Sequence, residues 1–225
     1  MRKSTQRDRT QYLLPGWAGL TLVLTVVACA TPPPPPDPFL GPLPPSVEAA
    51  RDVVVRVQQS TSEIARLGKE LTFDQRRERL LQVGLANFDL SRMAELSYGG
   101  GYRKLSTAQQ ETWLKTFILF YSSASAKLNS RDRGQSYRLV SFDQVEKNVV
   151  IIRTAIRYPR HAVEIVADYR LMPVAGEWKI FDRNSPPSVS ENAMRRAEYR
   201  TILEKEGFDG LIFDMDRRIA GYSAP

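Results

Sequence analysis

Apolar residues recur at three- and four-residue spacing along Val47, Ala50, Val54, Val57, Thr61, Ile64 and Leu67. That period predicts a helix from Val47, capped by Ser46 and ended near Gly68, with one stripe buried. Thr72 with Gln75 three residues on is a capping box, so a second helix follows, carrying Leu80, Leu81, Val83 and Leu85. Asn87-Phe88-Asp89 breaks it, and Asp89 caps a short helix through Met93 to Leu96. Gly99-Gly100-Gly101 is a loop; no strand precedes it and no Gly-Lys-Ser/Thr follows, so it is no phosphate loop. A second capping box, Ser106 with Gln109, starts a long helix to about Lys127 whose one face collects Trp113, Phe117, Phe120, Tyr121, Ala124 and Leu128.

The period then falls to two. Strands are predicted over 135–143, 149–158, 163–172 and 178–182, joined by short turns at Tyr158-Pro159-Arg160-His161 and Pro173-Val174-Ala175-Gly176-Glu177. Val150, Ile152, Thr154, Ile156 and Tyr158 share a face, as do Val163, Ile165, Ala167, Tyr169 and Leu171. Glu164, Asp168 and Arg170 take the opposite face, solvated or paired across strands. One sheet face is therefore oily and must be covered by the preceding helices, which makes the class α+β: a helical layer on an antiparallel four-stranded meander. Ser185-Pro186-Pro187-Ser188 reads as a polar loop. A last helix is predicted over 191–205 with Gly207 as its cap, then a final apolar segment, Phe208 to Ile212. No internal repeat is visible.

The start of the chain has another character. Arg2, Lys3, Arg7 and Arg9 precede an apolar stretch from Tyr12 to Ala28, 17 residues interrupted by Pro15 and Gly16 and short for a spanning helix. It ends Val26-Val27-Ala28-Cys29, which resembles a bacterial lipobox, where the cysteine thiol carries diacylglycerol as a thioether and becomes the mature N-terminus. An ordinary signal peptide with an incidental cysteine and an uncleaved anchor helix are the alternatives. Ala30, rather than Asp, after Cys29 points to the outer membrane over the inner. Residues 30–45 hold nine of the fifteen prolines. Such a run favours polyproline II, a stiff spacer reaching about 50 Å when extended; a proline-recognition ligand is the lesser reading. The expected organisation is a lipoprotein signal over 1–28, lipidated Cys29 with its tether over 29–45, a folded domain over 46–212 and a tail over 213–225.

Composition narrows the chemistry. Of 225 residues 42% are hydrophobic and 25% charged, an ordinary globular balance. The net charge is +7, of which +3 belongs to the signal, leaving +4. That mild excess suits anionic lipid or an acidic partner; with no Lys/Arg run, zinc-finger or RNA-binding signature, nucleic acid is not expected as a partner. Cys29 is the only cysteine and His161 the only histidine, so an intrachain disulfide, a cysteine zinc site and a histidine metal cluster or catalytic pair are excluded within one chain.

Several local strings in order carry a resemblance. They are Asn87-Phe88-Asp89 with Arg92-Met93-Ala94; Tyr102-Arg103 with Leu105-Ser106-Thr107-Ala108-Gln109-Gln110; Asp168-Tyr169-Arg170-Leu171; Gly176-Glu177-Trp178-Lys179-Ile180-Phe181-Asp182; Tyr199-Arg200; and Gly207-Phe208-Asp209-Gly210-Leu211-Ile212. Together they resemble the MlaC family, also called toluene-tolerance proteins, the periplasmic lipid carriers of Gram-negative bacteria, over about Val47 to Ile212. The resemblance implies a helical layer over a curved antiparallel sheet, like cystatin-like and nuclear-transport-factor-like cones. It implies phospholipid acyl chains between the layers and the headgroup in water. It further implies no enzymatic activity, no cofactor beyond lipid cargo, and a membrane-bound MlaD- or MlaA-like lipid-transfer complex, an ABC transporter accessory system, as partner.

By itself the aromatic stripe is core; the resemblance makes it a cavity wall, with Phe117, Tyr121, Val150, Ile152, Ile165, Tyr169 and Trp178 as lining candidates. Such a cavity serves a plain physical need. Each methylene moved from oil to water costs about 0.8 kcal/mol, so two long chains face a barrier of roughly 20 kcal/mol or more to free diffusion. Two departures from the family stand out: the lipobox, since relatives travel free, and the longer segment between Asp182 and Tyr199, where Asn184-Ser185-Pro186-Pro187-Ser188-Val189-Ser190 replaces a Glu-Gly and an apolar-Ser pair. Hopanoid or another lipid is an alternative cargo. The rival classes are a small cone-fold isomerase or dehydratase, for which Asp143 and Asp168 are the candidate carboxylates, and a scaffold lipoprotein with a filled core.

Overall fold

Local sequence signals set most of the helix starts. The computed structural model describes residues 43–159, 164–185 and 189–223; the expected signal, Cys29 and most of the tether lie outside them, as do His161, Val163 and residues 186–188. Helices α1 (Pro45–Leu67), α2 (Phe73–Asn87), α3 (Leu90–Tyr98) and α4 (Thr107–Leu128) come first. Both capping boxes form: the Gln75 N–H donates to Thr72 Oγ1 at 3.2 Å and the Thr72 N–H to Gln75 Oε1 at 2.9 Å, and Ser106 with Gln109 repeats the pattern. Asp89 caps α3 by accepting the Arg92 N–H at 2.9 Å. The start of α1 differs from expectation. It is capped by Pro44, not Ser46, with no side-chain hydrogen bond, because Pro45 in the first turn already has a helical φ and lacks the N–H that a cap would satisfy.

The sheet is an antiparallel meander in chain order: β1 (Ser136–Glu146), β2 (Val149–Arg157), β3 (Ile165–Val174), β4 (Glu177–Ser185) and β5 (Val189–Ser190). The fifth strand is an addition to the four expected. It has two residues, paired with Asn184 and Ser185, too few to show alternation. Irregularities between Leu139 and Ser141, Gln144 and Glu146, and Arg170 and Leu171 kink the strands. The third of these sets which side chains of β4 face the helices. Arg170 pairs with Asp182 and Leu171 with Ile180, so Phe181 is the extra residue on β4.

Helix α5 runs Glu191–Ser223 with a break at Gly207 (φ 70°, ψ −166°), a backbone conformation open in practice only to glycine. The expected cap at Gly207 is thus a joint between two helical limbs, and residues expected as a tail beyond 212 are helical to Ser223. Phe208, Leu211, Ile212, Met215, Ile219 and Tyr222 keep a three/four spacing, and Leu211 and Met215 are fully buried.

The core lies between the helices and one sheet face. Trp113 is its hub: fully buried, its Nε1–H donates to Ala94 O at 2.9 Å and its ring meets Tyr199 edge-on at 5.4 Å, tying α3, α4 and α5 together. The α2–α3 joint is pinned to the sheet by the Asp89 N–H donating to Ile180 O at 2.9 Å. A smaller cluster, Ile64, Leu71, Leu80 and Ala126, closes the far end of α1, α2 and α4, where Arg76 donates to Gly68 O and Leu71 O at 3.0 Å. No helix among the described residues is long and apolar enough to cross a membrane.

Candidate functional site

A cavity of about 150 Å³ sits between α1, α2, α4 and the β4–α5 junction. Its apolar wall comes from Val57 of α1, Leu80 and Val83 of α2, Phe88, and Tyr121 and Leu128 of α4. Each helix presents these residues by its own period. Phe88 and Tyr121 meet at 5.6 Å, and Tyr121 stacks on Phe117 at 6.4 Å. Gly84 completes this side of α2, and a Cβ there would meet Leu90 at 3.6 Å and Tyr121 at 4.0 Å.

The opposite wall is charged. Glu191 lies between Arg183, at 3.1 Å, and Arg195, at 2.7 Å. Arg195 also stacks over the Phe120 ring at 4.9 Å. Arg183 faces inward because of the Phe181 bulge. Simple alternation from Ile180 would turn Asp182 inward and Arg183 outward; the extra residue exchanges them, and Arg183 pairs with the inward Tyr169. One third of its side-chain surface stays accessible, and it lines the cavity, so this guanidinium is enclosed without being sealed off. Burial alone would raise the Glu191 carboxyl; the charges of Arg183 and Arg195 outweigh it and hold the group below the usual glutamate range. Burial pushes the Tyr121 hydroxyl up, with Glu191 adding to the rise. Among the described residues no group of three or more His, Cys, Asp or Glu is arranged to hold a metal ion.

The lining candidates fall in different places. Tyr121 is on the cavity wall and Phe117 fully buried behind it. Val150 and Ile152 are fully buried on the inner face of β2, and Tyr169 faces Ile152 across the ladder. Of the seven only Tyr121 lines this cavity; Phe117, Val150, Ile152 and Tyr169 are core behind it, and Ile165 and Trp178 lie farther off. Ile165 is 40% exposed at the start of β3, beyond the cover of the helices; alternation gives its face but not how far the cover extends. Trp178 lines a second, open cleft of about 550 Å³ with Val53, Arg56, Ala86 and Lys179. Of the two carboxylates weighed for an enzyme, Asp143 is exposed. Asp168 is on the face opposite Tyr169, as expected, yet buried rather than solvated: Arg153 grips both its oxygens, at 2.7 and 2.9 Å.

Sequence reasoning missed Arg183, Glu191 and Arg195. The four-residue spacing of Glu191 and Arg195 was a visible helix pair; the inward turn of Arg183 depends on a bulge with no local signature.

The MlaC protein family model matches residues 52–217. No curated protein matches the chain. Among solved structures, the fold is similar to a phospholipid-binding protein from Ralstonia solanacearum, in complex with a phospholipid, with a TM-score of 0.65 and 16% identity over 78% of this chain and 99% of that one. The family match takes in all five strands and most of the helical layer, and the chain belongs to the MlaC family.

Proposed function

We propose that this chain is a lipid-binding carrier that takes the acyl chains of a phospholipid between α1, α2, α4 and the sheet and hands the lipid to or from a membrane complex. The observation that carries this reading is the cavity itself: a pocket with an apolar wall of α1, α2 and α4 side chains opposite Arg183 of β4, in a family fold whose Ralstonia relative holds a phospholipid. Its volume of about 150 Å³ is below the roughly 300–1,000 Å³ of small-molecule sites. Loading two chains therefore requires the helical layer to open, and the place for it is beside Gly84, where α2 sets no side chain against Tyr121 of α4. The Trp113–Tyr199 end, hydrogen-bonded and fully buried, stays closed. Non-enzymatic carriage fits the carboxylates: Asp168 is neutralised on the outer face by Arg153, and Asp143 is exposed away from the cavity. The direct experiment is extraction of the purified protein and mass spectrometry of what it holds. A stoichiometric two-chain lipid is expected; a lipid-free protein that takes up none from vesicles overturns the reading.

The location proposed is the periplasmic face of the outer membrane, with Cys29 lipidated and the proline tether lifting the domain by up to about 50 Å. Such a tether is too short for free passage between two membranes and raises the local concentration at one of them, next to a membrane-bound transfer complex. Cys29→Ser is expected to abolish acyl labelling; equal labelling in both forms ends the proposal. Deleting 32–45 is expected to lower transfer at that membrane, whereas full function from a released soluble form restores a free shuttle.

A further inference from the structure

The charges on the cavity wall do not balance. Glu191 offers two oxygens; Arg183 takes Oε2 and Arg195 takes Oε1. Two guanidiniums carry far more N–H donors than one carboxylate can accept, and the Nε of each is buried without an acceptor among the described residues. The other groups acting most on them are the phenols of Tyr121, Tyr169 and Tyr199. Burial pushes all three hydroxyls up, so they are neutral at pH 7 and supply no counter-charge. Asp182, next to Arg183 in the chain, points to the other face and accepts the backbone N–H groups of Arg183 and Asn192. The triad therefore carries one net positive charge on the wall of a cavity that Arg183 shares with solvent, so an entering anion has a partner waiting. Arg183 ties β4 to α5 through Glu191 while Arg195 holds the same carboxylate from within α5, so two cations share one anion.

The geometry points to an oxyanion seat: Arg183 and Arg195, spaced by Glu191, take the phosphodiester of a bound lipid inside the cavity. The inference rests on the lipid-carrier reading and deepens it. Paired guanidiniums match the oxygens of a phosphodiester. The apolar wall of Val57, Leu80, Val83 and Phe88 faces the seat across the same cavity, so one ligand satisfies both sides. The seat lies where β4 ends against β5, at the sheet's edge. For this chain the acidic group is drawn in and recognised, where the family pattern leaves the headgroup in water. The consequence is selection by charge: anionic phospholipid over an uncharged lipid with the same chains.

The test uses the full chain stripped of lipid. It is titrated with fluorescent phosphatidylglycerol, with diacylglycerol carrying the same chains and label, and with inorganic phosphate as competitor. Wild type is expected to prefer phosphatidylglycerol. Arg183→Gln and Arg195→Gln each lower that affinity about 10- to 100-fold, the loss of charge-assisted hydrogen bonds, and lower diacylglycerol binding by much less. Arg183→Lys, which keeps the charge, loses less than Arg183→Gln. Glu191→Gln acts in the opposite direction and tightens phosphatidylglycerol. A pin role predicts that all these variants weaken both probes alike, and that result overturns the seat while leaving the carrier reading intact. If inorganic phosphate displaces phosphatidylglycerol at equal concentration, the seat serves free phosphate and the lipid assignment is overturned. If wild type binds neither lipid, the carrier reading itself fails. Circular dichroism of each variant separates loss of binding from loss of fold.

Discussion

Strands β2 and β4 face the same helical layer and bury opposite chemistry. On β2 the inward residues are Val150, Ile152 and Thr154, facing Leu171, Tyr169 and Ala167 across the ladder; the lone hydroxyl, on Thr154, accepts Gln58 Nε2–H at 3.2 Å. That wall is apolar apart from Thr154 and the Tyr169 phenol, and the Thr154 hydroxyl is paired. On β4 the inward sequence goes from Ile180 to Arg183 through the Phe181 bulge, and the layer opens into a cavity with a charged wall. One strand keeps alternation and builds core. The other breaks it by one residue and builds a site. A bulge is thus enough to convert the edge of an apolar interlayer into a place that recognises a charged group.

The largest break in this comparison is to put a charge on the apolar strand. Ile152→Asp buries a carboxylate facing Tyr169 with no cation opposite, and is expected to cost more than about 4 kcal/mol, leaving no cooperative urea transition. The same sheet tolerates charge at Arg183 because Glu191 and the cavity are there. A cooperative Ile152→Asp protein would show that the two strands do not differ in this way.

Acid sharpens the contrast from the other side. Glu191 titrates below the ordinary glutamate range in the folded protein. A group with a lowered folded pKa contributes stability that is fully present above its unfolded value, about 4.3, and is lost as pH falls through the folded value. Wild-type stability is therefore expected to hold from pH 7 to about 5 as far as Glu191 is concerned, and to fall below about pH 4. Glu191→Gln flattens that part of the curve in urea melts taken across the pH range; an unchanged acid limb refutes the assignment.

Asp168 supplies the outer-face counterpart. Its pair with Arg153 is bidentate but Arg153 is 39% exposed, so solvent screens it. Asp168→Asn is expected to cost about 1 kcal/mol in stability and to leave bound lipid unchanged. A loss of lipid with stability intact would bring the enzyme-like reading of Asp168 back.

Legibility in the sequence tracks the range of the interactions. The starts of α2, α3 and α4 are written in three- or four-residue motifs, and each forms where its motif lies. The four main strands, and the inner faces of β2 and β3, follow from period two. The second limb of α5 had the helical spacing Phe208, Leu211, Met215, Ile219 and Tyr222, but the glycine before it reads as an ending, and only its φ of 70° shows a joint. The site was less legible. Tyr121 is on the cavity because a helical stripe brings it there. Ile165 fails because periodicity carries no information on where a covering layer stops. Arg183 depends on an offset between two strands, a property of the pair and absent from either segment alone.

The smallest expected effect tests the seam along which the two walls meet the helices. Gly84 lies inside α2 with no positive φ, so its missing side chain is a packing choice and not a backbone need. A Cβ there would sit at ordinary contact distance from Leu90 and Tyr121, so Gly84→Ala displaces nothing. Removing a helix-interior glycine is expected to raise stability by about 0.5–1 kcal/mol, read from the urea midpoint, with bound lipid retained. Gly84→Leu keeps the helical gain but projects its branch into the cavity, and lipid occupancy should fall while both guanidiniums and the β2 wall are untouched. If Leu leaves occupancy as it was, the acyl chains do not pass between α2 and α4. The open cleft beside Trp178, the other concave surface lined by a nominated residue, then becomes the place to probe with Trp178→Ala.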